Sequence, residues 1–191
     1  MNSINEKKRV VVTGLGPVAP VGTGREEVWE ALAQGRNGIG PIQSFSAAEY
    51  PSRMAGEVLG FAPEAWLGKR EARRVDRFAQ FALVGARLAL QDAGLKPENL
   101  DRERCAVILG TGIGGLITFQ DQVRVMLERG PDRVSPYFIP MMIANMGAGQ
   151  VAIDLGFRGG SVKIVFAIRS PFSLMKSAPF LIFTLSSTGT L

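Results

Sequence analysis

The sequence contains no histidine. Histidine is the commonest general base near neutral pH and the commonest metal ligand, so an enzyme depending on a histidine of its own is excluded. No metal and no cofactor is expected. There is one cysteine, Cys105, which rules out an internal disulfide and agrees with a reducing, cytoplasmic setting. Set in an apolar strand pattern, it reads as an inert core thiol. No apolar run is long enough to span a bilayer. The stretch from Phe180 to Leu185 falls far short of the roughly 20 residues required. No targeting segment is expected either: Lys7, Lys8 and Arg9 precede an apolar run, but Gly14, Gly16, Pro17 and Pro20 break it. That fits a buried strand with an exit loop better than a signal peptide.

What is present describes a soluble globular α/β protein: 46% hydrophobic and 20% charged residues over 191 positions, enough for one domain with a substantial core. Lysine and arginine exceed aspartate and glutamate by 22 − 17 = 5, and the pI is 9.8. Such a balance favours acidic partners, whether nucleic acid, an anionic membrane or an acidic protein.

Along the chain, Arg9 to Thr13 reads as a buried strand. The motif Gly14-x-Gly16-x-x-Ala19 loosely matches a dinucleotide-binding loop. Its mechanism needs a helix starting at the glycines, and Pro17 and Pro20 argue against one. Thr23 and Glu26 form a capping-box pair opening a helix with Val28, Trp29 and Leu32 on one face. Phe45, Tyr50, Phe61 and Trp66 are expected as core anchors beneath a loop-rich stretch. Residues 71–93 read as one long amphipathic helix, ended by Gly94 and Pro97. Its first turn carries Arg70, Arg73 and Arg74 on one side. Cations there oppose the helix dipole, so a purely stabilising role is doubtful; a solvated basic face and a docking patch are both open. Cys105 to Leu109 reads as a second buried strand, followed by Gly110-Thr111-Gly112-Ile113-Gly114-Gly115 and a helix carrying Leu116, Phe119, Val123 and Leu127. This loop also satisfies G-x-G-x-x-G, but the helix is followed by a turn, not by the parallel strand a nucleotide-binding unit requires.

The remainder is organised around residues 133–171. Pro140 suits the first turn of a helix and Gly156 its stop. Between them Ala144, Gly147, Ala148, Gly149 and Ala152 leave little side-chain bulk. Interior glycines cost about 1 kcal/mol each relative to alanine, so something must press against that backbone. A strand, Val162 to Ile168, follows.

Five separated blocks in register, VVVTGLGPVAPVG, VWEALAQGRNGI, the DRF…ALQDAGL helix, GTGIGG and RVSPYFIPMMIANMGAGQVAI, resemble the β-ketoacyl-acyl carrier protein synthases, the condensing enzymes of the thiolase superfamily. The resemblance implies a thiolase-like layered α/β fold, of which residues 1–161 supply the N-terminal half and 162–191 a non-family tail. It implies dimerisation near the small-residue helix and the strand after it, as a homodimer or with an intact synthase. Of the possible acidic partners it points to acyl carrier protein, received at Arg70, Arg73 and Arg74, and not to nucleic acid or a membrane. Ile113 and Phe138 match positions that line and gate the acyl-chain pocket; ordinary core packing is their alternative.

In this family a cysteine at a helix N-terminus attacks the acyl thioester. Two histidines promote decarboxylation of malonyl-acyl carrier protein, and the carbanion extends the chain by two carbons. Counting on from Gly159 and Ser161 puts the family's cysteine at Ile168, which has neither a nucleophile nor an ionisable proton. Arg169 and Pro171 replace the small residues of the nucleophile turn, and nothing after Ser161 follows the family pattern. A truncated or frameshifted synthase is therefore expected, inactive alone, with a non-catalytic partner subunit as the alternative.

Overall fold

The structure, a computed structural model, describes residues 10–165 and 185–187. Strands β1 (Val10–Val12), β2 (Val18–Ala19) and β3 (Gly22–Thr23) precede helix α1 (Arg25–Ala33); β4 (Gly40–Pro41) and β5 (Met54–Ala55) bracket a loop-rich stretch. Helices α2 (Pro63–Leu67), α3 (Lys69–Ala72) and α4 (Arg77–Asp92) lead to β6 (Val107–Thr111) and α5 (Leu116–Arg129). Then come α6 (Phe138–Met142), α7 (Asn145–Leu155), β7 (Ser161–Val165) and β8 (Leu185–Ser187). β6 and β7 pair in parallel from Val107↔Ser161 to Thr111↔Val165. β1 and β8 pair antiparallel from Val10↔Ser187 to Val12↔Leu185.

α4 is the centre of the molecule. Its run FAQFALVGARLAL is apolar nearly all round, and Phe78, Phe81, Leu83, Val84 and Leu90 are all buried. A helix apolar on every side belongs inside a core, so the single amphipathic stripe expected from the sequence understates its burial. The exit loop after β1 lies directly on it. A Cβ at Gly14 would stand 2.1 Å from the Ala89 carbonyl oxygen, and one at Gly16 only 1.9 Å from that of Gly85. These glycines permit backbone contact with α4, which explains their spacing without a nucleotide; the next helix begins only at Arg25. The Leu15 N–H donates to Asp92 at 2.8 Å, and Asp92 pairs with Arg25 at 2.7 Å.

α7 crosses α4 and shields one face of the β6–β7 pair. Gly147 is the close approach: a Cβ there would lie 2.4 Å from Leu109 and 2.7 Å from Phe78. The helix is thus pressed by the chain's own core, while Gly149 meets only Met146 at ordinary contact distance. Gly156 stops α7 in the left-handed region, φ 69°, with the Phe157 N–H returning to the Ala152 carbonyl at 2.9 Å, a glycine-terminated helix end.

Several expectations are corrected. β1 is exposed along its whole length, because its only strand neighbour among the described residues is β8. β6 starts two residues later than expected and buries Val107, Leu109 and Thr111 on one face only. The helix expected from Pro140 to Gly156 breaks at Ile143, whose backbone is extended; the Met142 carbonyl instead accepts the Gly115 N–H at 2.9 Å. The predicted capping box is displaced by one residue: Glu27, not Glu26, reaches back to the Thr23 N–H at 2.9 Å. On α1 the buried residue is Ala31, while Trp29 is 70% exposed and Leu32 also faces out. Of the four aromatic anchors only Phe61 joins the core, 4.9 Å from Phe81. Phe45, Tyr50 and Trp66 lie at the surface.

Candidate functional site

The basic segment is not the first turn of a long helix. α3 ends at Ala72 with Arg73 as its C-cap, and the chain turns before Asp76, whose extended backbone (φ −68°, ψ 161°) and carboxylate cap α4, the carboxylate accepting the Phe78 N–H at 3.2 Å. An aspartate N-cap starts a helix where it stands, and that splits the expected 71–93 helix. Arg70, Arg73 and Arg74 are all exposed, but they straddle the C-terminal end of α3. Cations are favourable at that end of a helix, so the dipole conflict inferred from the sequence disappears. The Gln80 amide holds the turn by donating to the carbonyls of Ala72 (2.8 Å) and Val75 (3.2 Å). Arg74 lies 5.0 Å over the Tyr137 ring, within cation–π range. Arg77, next in sequence, turns inward. It donates to the Val58 carbonyl at 2.6 Å and stands over Phe81 at 4.9 Å. Burial pushes its pKa below the usual arginine value, against smaller opposing effects of Glu57 and Asp76.

Ile113 sits exposed in the glycine loop between β6 and α5. Gly114 takes φ 98° and donates to the Thr111 hydroxyl at 3.2 Å. A Cβ on Gly115 would stand 2.5 Å from the Met141 carbonyl oxygen, and one on Gly114 2.9 Å from Ala144 Cα. The loop is therefore clamped against residues 141–144. Phe138 opens α6, half-buried, its ring 6.1 Å from that of Phe119. The structure thus puts Ile113 and Phe138 on two segments that meet at one joint, and brings Arg74 beside Tyr137, the residue preceding Phe138. A separate cavity of about 390 Å³ is lined by Ala19–Thr23, Val58–Phe61, Glu27 and Arg36; neither Ile113 nor Phe138 borders it.

Sequence reasoning missed Asp76, Thr118 and Tyr137. The Thr118 N–H and hydroxyl both donate to Asp76 Oδ2, at 3.0 and 2.5 Å. The available signal was Asp76 immediately before a helical apolar run, an N-cap pattern; Thr118 and Tyr137 carried none. Partial burial, with a smaller contribution from Asp101, pushes the Cys105 thiol above its ordinary range, but the expected core thiol is corrected: Cys105 is only half-buried, outside the core, and precedes β6. Ile168 and the end of the strand expected to reach it lie outside the described residues. Among the described residues no cluster of histidine, cysteine, aspartate or glutamate could hold a metal, and no helix is long and apolar enough to cross a membrane.

Comparison with known proteins gives a consistent result. The sequence model for the β-ketoacyl synthase N-terminal domain matches residues 7–171, ten residues past Ser161 and across Ile168. A 3-oxoacyl-[acyl-carrier-protein] synthase 2 of Synechocystis sp. (strain ATCC 27184 / PCC 6803 / Kazusa) is 48% identical over 154 residues, covering 81% of this chain and 37% of the relative. One from Staphylococcus aureus (strain N315) is 43% identical, covering 82% and 38%. Among solved structures, the ishigamide ketosynthase/chain length factor superposes with a TM-score of 0.74 at 28% identity, over 83% of this chain and 40% of that one. The chain therefore spans less than half the length of the relatives it matches, and over that part it has the expected thiolase-like α/β fold of ketosynthases.

Proposed function

Because the chain belongs to the β-ketoacyl synthase family through its N-terminal domain, we propose that it forms the carrier-docking, acyl-lining portion of a 3-oxoacyl-acyl carrier protein synthase and does not condense substrates by itself. The observation that carries this is the family match over residues 7–171 in a chain with no histidine. Decarboxylative condensation in this family needs a cysteine thiolate and two histidines. Here isoleucine holds the position the resemblance gives to the cysteine, and a hydrocarbon side chain forms no thioester. The proposed division is a half-domain over 1–161 and a tail over 162–191, of which the family model still covers 162–171.

The partner is an acidic acyl carrier protein, named in the description of the Synechocystis relative. Arg70, Arg73 and Arg74 suit it: they are exposed, and Arg70 and Arg73 have no ion-pair partner among the described residues. Two measurements test the proposal. Intact-mass analysis after incubation with acyl-carrier protein should show no covalent acyl group; acylation at any residue would overturn it. Carrier binding should weaken steeply with salt and vanish in Arg73→Glu/Arg74→Glu; binding untouched by that change removes the patch from the function.

A second reading is a non-catalytic partner that pairs with an active synthase. It draws on the fold shared with a ketosynthase/chain length factor and on apolar residues exposed along α5, among them Phe119, Met126 and Leu127. Co-purification with an intact synthase would favour it.

A further inference from the structure

Asp76 is used twice. Its side chain is 5% exposed, and a buried carboxylate is costly unless hydrogen bonds compensate it. Capping α4 occupies only Oδ1. Oδ2 reaches across 42 residues of chain to the first turn of α5, taking the Thr118 N–H at 3.0 Å and its hydroxyl at 2.5 Å, the short distance of a charge-assisted bond. Thr118 is the one buried residue of α5. That helix is therefore anchored at its start by a polar contact, with little apolar packing behind it. Gly115 packs on the same oxygen, its added Cβ falling 3.2 Å from Asp76 Oδ2, while its N–H is held by Met142. One carboxylate thus ties the start of α5 to the basic turn and lies beside the end of the Ile113 loop, whose Gly115 in turn bonds the segment that carries α6.

We propose that Asp76 is a positioning residue that sets the spacing between the Ile113 loop and the Phe138 helix, and of both from the docking arginines, and so determines which acyl-chain lengths are admitted. The length-selecting part rests on the reading above that Ile113 and Phe138 line the acyl path. The spacing itself does not.

The test uses the full chain carrying Cys105→Ser, with nitroxide labels at Gly112→Cys and Ile139→Cys. An added Cβ at Gly112 meets nothing within 4 Å, and Ile139 is exposed. The parent should give a single narrow label–label distance. Thr118→Val, which removes the hydroxyl donor and leaves the α4 cap intact, should broaden it severalfold, as should Asp76→Ala. Thr118→Ser, which keeps both donors, should restore the narrow distribution. Asp154→Ala, destabilising at a distant ion pair, should leave the distance narrow; this separates positioning from general loss of stability. Straight-chain fatty acids of graded length serve as probes, and Thr118→Val should flatten the length preference of the parent. Distances that stay narrow in Thr118→Val overturn the proposal even if fatty acids bind, and that variant decides the matter if Asp76→Ala does not fold. Distances that broaden while the parent binds no fatty acid uphold the spacing role and sink the acyl-lining reading. A length preference unchanged by broadening overturns the length-selecting part.

Discussion

Single residues in this molecule are constrained chiefly by what stands against them. Gly147 faces Leu109 and Phe78 at distances no Cβ can occupy. Gly147→Ala should therefore destabilise the fold by about 1–3 kcal/mol through overpacking, read from urea titrations, whereas Gly149→Ala should be neutral or mildly stabilising. Partial burial raises the Cys105 pKa above the ordinary thiol value. A raised folded value means that the unfolded chain loses its proton first. Stability from this thiol is therefore fully present below pH 9.0 and falls as pH rises beyond it. Alkylation of the folded chain at pH 8 should run slower than that of the urea-unfolded chain; equal rates would contradict the assignment. Exposure of Arg70, Arg73 and Arg74 was legible from the sequence, since charge runs lie outside cores. The inward turn of Arg77 was not, because it depends on a carbonyl and two rings brought in from elsewhere.

At the level of elements, helix existence follows from pattern and helix interruption from contact. α4, α5 and α7 stand where periodicity and glycine stops put them. The gap before α4 arises because Asp76 caps that helix while also bonding Thr118 of α5, and the break at Ile143 goes with the bond of the Met142 carbonyl to Gly115. The α4–α7 crossing is secured by Arg87, which grips Asp154 through Nε at 2.9 Å and Nη2 at 2.5 Å and donates to the Trp66 carbonyl as well. Asp154 raises the Arg87 pKa above its ordinary value. Arg87→Met should cost about 1.5–3 kcal/mol, the range for hydrogen bonds to charged groups. A double-mutant cycle with Asp154→Asn should return a coupling energy of the same sign, and a coupling of zero would show that the pair contributes nothing.

At the scale of the whole molecule, the notable property is how many large apolar side chains are exposed among the described residues. β1 and Ile108 on the sheets, Leu127 on α5 at 77% exposure and Ile153 on α7 at 72% all face outward. Contiguous apolar surface on a soluble chain marks an interaction face or an aggregation liability. Sedimentation should therefore show self-association that rises with concentration. Leu127→Glu/Ile153→Glu should reduce it without lowering the melting temperature, since neither side chain is packed. A chain that stays monomeric at every concentration would refute this.

What the sequence determined alone was membership and inventory: five family blocks in order, no histidine, one cysteine, a basic run, and apolar periodicity strong enough to locate the main helices. These are local or additive properties, readable without knowing what meets what. Only the tertiary structure decided that β1 is exposed, that α4 is buried on nearly every side, that the glycines of the first loop serve packing, and that one carboxylate joins the arginine turn to the Ile113 loop. Each depends on segments tens of residues apart coming within van der Waals or hydrogen-bond distance, and no window of sequence contains both partners.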